Sequence, residues 1–186
     1  MPIPAKEVLQ VTHAPAKRSL LQKIYEQFYK SANIKLVTVA DSLPYPYQSD
    51  VPFYVVHVQI ESRSEPDVWY DIVVQVLGTK LEPSTDVRVY NNCPAFVYFL
   101  AYVFHKRDAL IFQHLYPIQV FTIPPKERNP KHLIEPDKYT YTAFRYIKSR
   151  RITKESVERL NKQKWTYIRS PKEIERIRAL KVLRTR

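Results

Sequence analysis

The sequence predicts an α+β fold, with a small antiparallel sheet, an N-terminal helix and a basic helical C-terminal extension. Three observations indicate this fold. Two segments on either side of residue 65 alternate apolar and polar side chains around a short polar turn, as in a β-hairpin. Residues 17–31 carry apolar side chains at helical spacing. Residues 149–186 combine helix-start signals with much of the positive charge.

The length of 186 residues suits one main domain with appended segments, and a hydrophobic content of 45% is enough for a sizeable core. Prolines at positions 2, 4 and 15 indicate that the chain begins as an extended arm rather than as packed structure. We therefore predict three regions, which are an extended N-terminal arm over residues 1–16, an α+β core domain over 17–148 and a basic helical extension over 149–186.

The first predicted element of the core is a helix of about four turns. Its apolar residues, Leu20, Leu21, Ile24 and Phe28, recur at helical spacing. We expect this apolar stripe to pack against the body of the protein.

The β-hairpin is the clearest structural signal. Its first strand alternates Val56, Val58 and Ile60 with polar residues, and its second strand ends at Gly78. The turn between them reads "RSEPD", and the later segment "DVRVY" is a candidate third strand.

Three later segments are harder to assign. Ala95–Phe104 is apolar throughout and fits either a buried helix or a core strand, and Pro94 at a first helical turn favours the helix. Residues 123–137 are polar and rich in proline, which predicts a stiff extended crossing. Residues 139–151 fit a strand or a helix.

Two helices are predicted near the C-terminal end. Thr153 can cap a short helix over residues 154–163. Ser170, Pro171 and Glu173 form a capping box with proline at the first helical position. In this last helix an apolar residue recurs every three positions, and we expect a basic amphipathic helix with the cations outside the apolar stripe. The apolar residues are Ile174, Ile177, Leu180 and Leu183, and the cations are Arg176, Lys181 and Arg184.

The positive charge is concentrated at one end of the chain. From Arg145 onward there are fifteen Lys or Arg against four Glu, which gives +11 of the total +12. Such an asymmetry predicts an anionic partner. The predicted binding residues are nine cations, Arg150, Arg151, Lys162, Lys164, Arg169, Arg176, Arg178, Lys181 and Arg184, with Trp165 and Tyr167 as aromatic contacts.

Two partners fit these cations. The first is an acidic surface on a neighbouring protein subunit of an assembly, and the second is DNA or RNA, whose phosphates bind Lys and Arg and whose exposed bases stack on aromatic rings. A membrane is not expected. The last helix lacks Trp and Phe, and Ala95–Phe104, the longest apolar run, is about half as long as a membrane helix.

No enzymatic or cofactor chemistry is predicted. A single glycine excludes the glycine-rich loops that cradle nucleotide phosphates. One cysteine, Cys93, and histidines without paired spacing give no zinc site, and Cys93 fits a reduced intracellular setting. Glu65, Asp67 and Asp71 resemble carboxylates of a magnesium-dependent nuclease, but Lys80 lies too far along the chain for the usual pattern.

Three pieces of the central chain resemble small structural proteins of tailed bacteriophages. They are an Asn-rich turn followed by proline and an aromatic stretch over Asn91–Ile111, an Arg-Asn-Pro turn over Arg128–Pro130, and an aromatic block with Ala and Arg over Tyr141–Ile147. The resemblance implies a virion component of the capsid, neck or tail, without catalysis. It also implies a location in the virion or in the cytoplasm of the infected bacterium.

The leading functional hypothesis is a non-enzymatic structural or adaptor protein that its basic C-terminal segment anchors to acidic protein surface or packaged DNA. The alternative is a free DNA- or RNA-binding regulatory protein. The two hypotheses differ in one respect. A free regulator binds oligonucleotides on its own, with an affinity that falls steeply with salt.

Overall fold

The computed structural model describes residues 2–9, 15–44, 46–125, 137–160 and 167–184. Five strands form one antiparallel sheet in the order β1-β5-β4-β3-β2. They are β1 (Ile3–Pro4), β2 (Ile34–Ala40), β3 (Tyr54–Glu61), β4 (Trp69–Leu77) and β5 (Asp86–Asn91). The helices of the described residues are α1 (Ala5–Leu9), α2 (Pro15–Ser31), α3 (Pro94–Phe99), α4 (Ala101–Lys106), α5 (Gln119–Thr122), α6 (Lys138–Ser149), α7 (Ser156–Leu160) and α8 (Pro171–Arg184).

The predicted α+β fold, the hairpin and the third strand are confirmed. Strands β3 and β4 pair so that Val56 faces Val74 and Val58 faces Ile72. Both strands are buried along most of their length on both faces. β-branched residues line the face of these two strands that contains Val58 and Ile72, whereas the opposite face carries the buried polar side chains of His57, Asp71 and Gln75.

Helices α2 and α6 cover one face of the sheet. The ring of Tyr139 packs 4.9 Å from that of Tyr70 on β4 and 5.2 Å from that of Phe28 on α2. We expected the whole apolar stripe of α2 to pack against the body, and this prediction is wrong for the first half of the helix. Leu20 is 58% exposed and Ile24 is 44% exposed. Each step of four residues turns the stripe by about 40°, so only Phe28 faces the core.

The opposite face of the sheet is covered by the loop around Tyr47, by Phe112 and by the start of α8. The ring of Phe112 lies 5.3 Å from that of Tyr47 and 5.9 Å from that of Tyr90 on β5. Ile174 on α8 is 1% exposed. The C-terminal segment therefore contributes to the hydrophobic core.

Residues 94–106 form two helices, as the proline signal indicated. Pro94 occupies the first turn of α3, and the Cys93 sulfur accepts a hydrogen bond from the Phe96 N–H at 3.4 Å. Leu100 separates α3 from α4. Six side chains of this region are buried, which explains its apolar composition; they are Phe96, Val97, Leu100, Ala101, Val103 and Phe104.

Residues 138–149 are helical, which decides between the two structures that the sequence allowed. Asp137 caps α6 by accepting hydrogen bonds from the N–H groups of Tyr139 and Thr140. At the other end Arg151 has a φ of 51°, and the Ile152 N–H donates to the Ile147 carbonyl at 3.0 Å. This is a Schellman ending in which arginine occupies the position that favours glycine. The proline-rich crossing lies outside the described residues from 126 to 136.

The prediction of an extended, unpacked N-terminal arm is wrong over residues 3–9. Ile3 pairs with Val87 at the edge of the sheet, and Ile3, Ala5 and Val8 are at most 1% exposed. These apolar side chains cover the outer edge of β5, and Pro4 is tolerated there because an edge strand has a free side.

Helix α7 begins at Ser156, two residues later than predicted, and the predicted end at residue 163 lies outside the described part of the chain, which omits 161–166. Among the described helices, none has both the length and the hydropathy that crossing a membrane requires.

Candidate functional site

The predicted binding residues fall into three groups in the structure. The first group, Arg169, Arg178 and Lys181, pairs with carboxylates of the same chain. The second, Arg150, Arg151, Arg176 and Tyr167, is exposed. The third, Lys162, Lys164 and Trp165, lies outside the described residues, as does the side chain of Arg184.

The deepest contact of the basic segment is between Arg169 and Asp71. The Arg169 Nε lies 2.8 Å from Oδ2 of Asp71, and the Arg169 backbone N–H donates to the same oxygen at 3.3 Å. The Asp71 side chain is fully buried on β4, whereas that of Arg169 is 21% exposed. A buried carboxylate needs such a partner, because an unpaired charge in the interior is costly.

Three more side chains donate to Asp71. Nε2 of His57 and Nε2 of Gln59 each lie 2.9 Å from Oδ1, and Nδ2 of Asn92 lies 3.2 Å from Oδ2. Burial alone would raise the pKa of Asp71, but hydrogen bonds from His57 and Arg169 outweigh it and lower the pKa to about 2. Asp71 is therefore ionised at neutral pH, and both of its oxygens are engaged.

The backbone carbonyl of Arg169 is also bound by the sheet. Tyr90 Oη donates to it at 2.7 Å, and Asn92 Nδ2 donates to it at 2.8 Å. Asn92 thus bridges Asp71 and Arg169. Residue 169 is held through its side chain, its N–H and its carbonyl, so the segment has one fixed position on the sheet.

Helix α8 begins at the predicted capping box. The Ser170 N–H donates to Oε2 of Glu173 at 2.8 Å, and the Glu173 N–H donates to Oγ of Ser170 at 3.4 Å. The exposed Tyr167 hydroxyl donates to Oε1 of Glu173. These contacts fix the direction of α8 from the position of residue 169.

The predicted apolar stripe of α8 is wrong at Leu180, and the side chain of Leu183 lies outside the described residues. Leu180 is 57% exposed, although Ile174 is buried. An interval of three residues falls 60° short of a full turn, so a residue six positions after Ile174 lies about 120° round the helix. Arg178 and Lys181 face the body instead, because they lie four and seven positions after Ile174 and so on the same side of the helix.

Arg178 and Lys181 bind the turn of the hairpin between β3 and β4. Nε and a terminal nitrogen of Arg178 contact both oxygens of Glu65 at 2.6–2.9 Å. Lys181 donates to the Pro66 carbonyl and lies 3.4 Å from Oδ2 of Asp67. The bidentate arginine is the stronger of the two contacts.

The carboxylates of the nuclease hypothesis therefore bind cations of the same chain. Glu65, Asp67 and Asp71 pair with Arg178, Lys181 and Arg169, respectively. Within the described residues, no three His, Cys, Asp or Glu side chains are grouped as metal ligands. The geometry of these three carboxylates supports docking of the C-terminal segment.

A second buried carboxylate, Asp137, was not singled out by the sequence. Asn91 Nδ2 lies 3.2 and 3.1 Å from its two oxygens, and the Thr140 hydroxyl donates to Oδ2 at 2.5 Å. Burial raises its pKa, and these hydrogen bonds oppose that effect. An Asp directly before a helical segment was the available signal. This network joins β5 to the start of α6.

A groove with aromatic and basic side chains lies where α2 and α6 end beside β2. We call it the tyrosine groove. It has a volume of about 280 Å³ and is lined by Tyr29, Lys30, Ala32, Ile34, Tyr146 and Arg150. Of the predicted binding residues, only Arg150 lines it. Sequence reasoning missed Tyr29, Lys30 and Tyr146 because 116 positions separate residues 30 and 146 in the sequence.

The fold and these sites define an α+β domain whose C-terminal segment is docked on its own sheet through Arg169, Arg178 and Lys181, and in which Arg150, Arg151 and Arg176 are exposed. No protein-family model, curated protein or solved structure matches the chain.

Proposed function

We propose that the protein is a non-enzymatic structural or adaptor component of a larger assembly, and that it binds an anionic partner through the cations left exposed at the end of α6. The assembly we propose is a tailed-phage particle, with the protein in its capsid, neck or tail. The single observation that supports binding is that Arg150 and Arg151 are exposed and have no carboxylate of the described residues within ion-pair distance.

The charge balance of the whole chain strengthens this argument. An ion pair within the chain cancels one cation with one anion. The excess of twelve positive charges therefore belongs to side chains other than the docked Arg169, Arg178 and Lys181. The original hypothesis placed the anchor along all of residues 149–186. We now assign the anchor to Arg150 and Arg151, because the docked cations are already neutralised and Arg176 lies close enough to Glu173 to help lower the pKa of that carboxylate.

The state of the buried carboxylates supports a non-enzymatic role. Asp71 accepts hydrogen bonds at both oxygens and is fully buried, so it offers neither a free lone pair nor access to a substrate. Cys93 is buried, and burial raises the pKa of its thiol. Both groups are better placed to stabilise the fold than to react.

The proposal is tested by sedimenting a lysate of the cells that naturally produce the protein and locating the protein among the fractions. The full-length protein is expected in the high-mass fraction at 0.1 M salt, and the variant Arg150→Glu/Arg151→Glu is expected to shift to the low-mass fractions. Lys172→Glu/Arg176→Glu on α8 carries the same change in net charge and serves as the control. Wild-type protein that stays in the low-mass fractions, or equal behaviour of the two variants, contradicts the proposal.

The second candidate function is a free DNA- or RNA-binding regulatory protein. The tyrosine groove favours it, since stacked bases and phosphates would meet Tyr146 and Arg150 there. In the same sedimentation experiment, a free regulator remains at low mass in lysate treated with nuclease and binds oligonucleotides when purified.

A further inference from the structure

We infer that the tyrosine groove binds single-stranded nucleic acid, with a base against the tyrosine rings and the backbone phosphates on Lys30 and Arg150. This inference rests on the proposed function, because it names the chemical class of the anionic partner. It is carried by the arrangement of two tyrosines and two cations in one recess.

The ring of Tyr29 is positioned by a hydrogen bond of its hydroxyl, and the ring of Tyr146 lies beside a cation. The Tyr29 hydroxyl donates to Oγ of Ser149 at 2.7 Å, and that serine donates to the Tyr146 carbonyl at 3.0 Å. Cζ of Arg150 lies 5.6 Å from the centre of the Tyr146 ring. Both rings are partly exposed. They therefore offer a fixed aromatic surface to a ligand without rearrangement of the backbone.

The groove is electropositive. None of its six lining residues is acidic, and Lys30 and Arg150 form no ion pair within the described part of the chain. Arg151 follows directly, and Arg145 approaches the Tyr29 ring to 5.8 Å. Arg145 is already paired with Glu26, whose Oε1 lies 2.9 Å from its Nε. Lys30 and Arg150 are therefore the cations open to a ligand.

The size and chemistry of the groove distinguish the possible anions. A volume of about 280 Å³ is at the small end for a ligand pocket, which suits one nucleotide unit at a time. The carboxylates of an acidic protein segment would pair with the cations but have no ring that stacks on the tyrosines. A duplex keeps its bases stacked inside, so its rings do not reach the tyrosines. Single-stranded DNA or RNA offers both an anionic backbone and free base faces.

Lys30 and Arg150 also lie at the ends of two helices, where cations interact favourably with the helix dipole. That role alone would stabilise the fold without binding anything. Binding and stability therefore have to be measured on the same variants, so that the two roles are separated.

Fluorescence anisotropy of the full chain with labelled 12-nucleotide dT and rU strands tests the inference. The matching duplex and polyglutamate are the comparison ligands. Tyr146→Ala is expected to weaken single-strand binding roughly five- to a hundredfold, the range for loss of one stacking ring. Tyr146→Phe, which keeps the ring, is expected to bind like the wild type. Binding of polyglutamate should not distinguish Tyr146→Ala from Tyr146→Phe.

Arg150→Glu is the second variant, since its exposed side chain can change without disturbing the core. It is expected to lower the slope of log affinity against log salt by about one, as for one lost phosphate contact. Arg176→Glu on α8 makes the same charge change outside the groove and is expected to leave the slope unchanged. Circular dichroism melts show which variants are folded.

Three results would overturn the inference. They are equal single-strand binding by Tyr146→Ala and Tyr146→Phe, equal affinity for polyglutamate and single strands, and a lower melting temperature of Arg150→Glu with unchanged binding. The inference and the proposed function fail separately. A protein that sediments with an assembly but binds no oligonucleotide contradicts only the inference, and one that binds single strands but stays at low mass contradicts only the assembly role.

Discussion

Asp71 connects the C-terminal segment to the sheet. We expect Asp71→Asn to lower the free energy of unfolding by about 3 kcal/mol, because removing one partner of a buried ion pair leaves the other uncompensated. The substitution keeps the size of the side chain, so packing is preserved. Urea denaturation followed by circular dichroism measures the change.

The control for Asp71→Asn is Glu82→Gln, the same carboxylate-to-amide change in an exposed pair. Lys80 and Glu82 are 66% and 48% exposed, and such pairs contribute less than about 1 kcal/mol. Equal effects of the two substitutions would show that the buried contact between Asp71 and Arg169 contributes no more than a surface pair.

The pH dependence of stability follows from the same carboxylate. The pKa of Asp71 in the fold is about 2, below its ordinary value of 3.8, so folding favours the ionised form. This stabilisation is present above pH 3.8 and is lost as the pH falls towards 2, and it amounts to roughly 2 kcal/mol. We expect Asp71→Asn to show a shallower loss of stability between pH 4 and pH 2 than the wild type.

The buried Asp137 has a raised pKa, and its contribution to the pH dependence has the opposite sign. Asp137 is present in both the wild type and Asp71→Asn, so its contribution cancels when the two pH profiles are compared. Identical profiles for the wild type and Asp71→Asn would contradict the assignment to Asp71. The titration is read from unfolding curves at fixed pH values in one buffer series.

Arg151 offers a second test at the level of single residues. Its φ of 51° is in the left-handed region, where a residue with a Cβ is disfavoured by about 1–2 kcal/mol and glycine is not. We expect Arg151→Gly to raise the free energy of unfolding by about 0.5–1 kcal/mol after the greater freedom of glycine in the unfolded chain is subtracted. Thermal melts monitor this change.

Arg150→Gly is the matched control for Arg151→Gly, since it removes the same charge from the neighbouring position. Arg150 has a φ of −85°, so glycine gives no relief there and the substitution should destabilise. If both variants lose stability equally, the left-handed backbone at Arg151 does not lower the free energy of unfolding of the wild type.

At the scale of elements, α8 is held by a narrow inner face. We expect Ile174→Ala to cost about 2–5 kcal/mol, as for a buried aliphatic side chain. Leu180→Ala, on the exposed side, is expected to change stability by less than about 0.5 kcal/mol. Equal costs in urea denaturation would indicate that both residues contact the body, as the original stripe required.

Strands and helices with clear periodicity were predictable from the sequence, and the faces of the helices were not. Alternation identified β3 and β4, and the capping box identified the start of α8. The buried faces of α2 and α8 were predicted wrongly from the spacing of their apolar residues, because positions that repeat every three or every four residues move gradually around the helix. Leu20 and Leu180 matched the spacing and are exposed, whereas Arg178 broke it and faces the body.

At the scale of the whole molecule, the C-terminal segment covers one face of the sheet. We expect truncation after Ser149 to prevent cooperative unfolding at 25 °C, because Asp71 loses Arg169 and the core loses Ile174 together. The result is measured as loss of a sigmoidal denaturation curve. Arg178→Gln/Lys181→Gln keeps the segment and removes only partly exposed pairs, so it should remain cooperative.

The candidate site could be predicted only in part, because its contacts are long-range. The sequence identified an excess of cations, but Asp71 and Arg169 are 98 residues apart, and no local pattern joins them. One signal was available. An aspartate inside a strand with apolar neighbours on both sides needs a buried cation or donor, and only the fold reveals which one. The tyrosine groove likewise joins residues from three elements.

The distance between Asp71 and Arg169 along the chain also has a consequence during synthesis. At roughly 5–20 residues per second, a ribosome takes about 5–20 s to add the 98 residues that follow Asp71 up to Arg169. For that time the hairpin carries a carboxylate whose arginine partner does not yet exist. The part of the sheet face around Asp71 that residues 169–174 cover therefore stays uncovered by them until residue 169 leaves the exit tunnel.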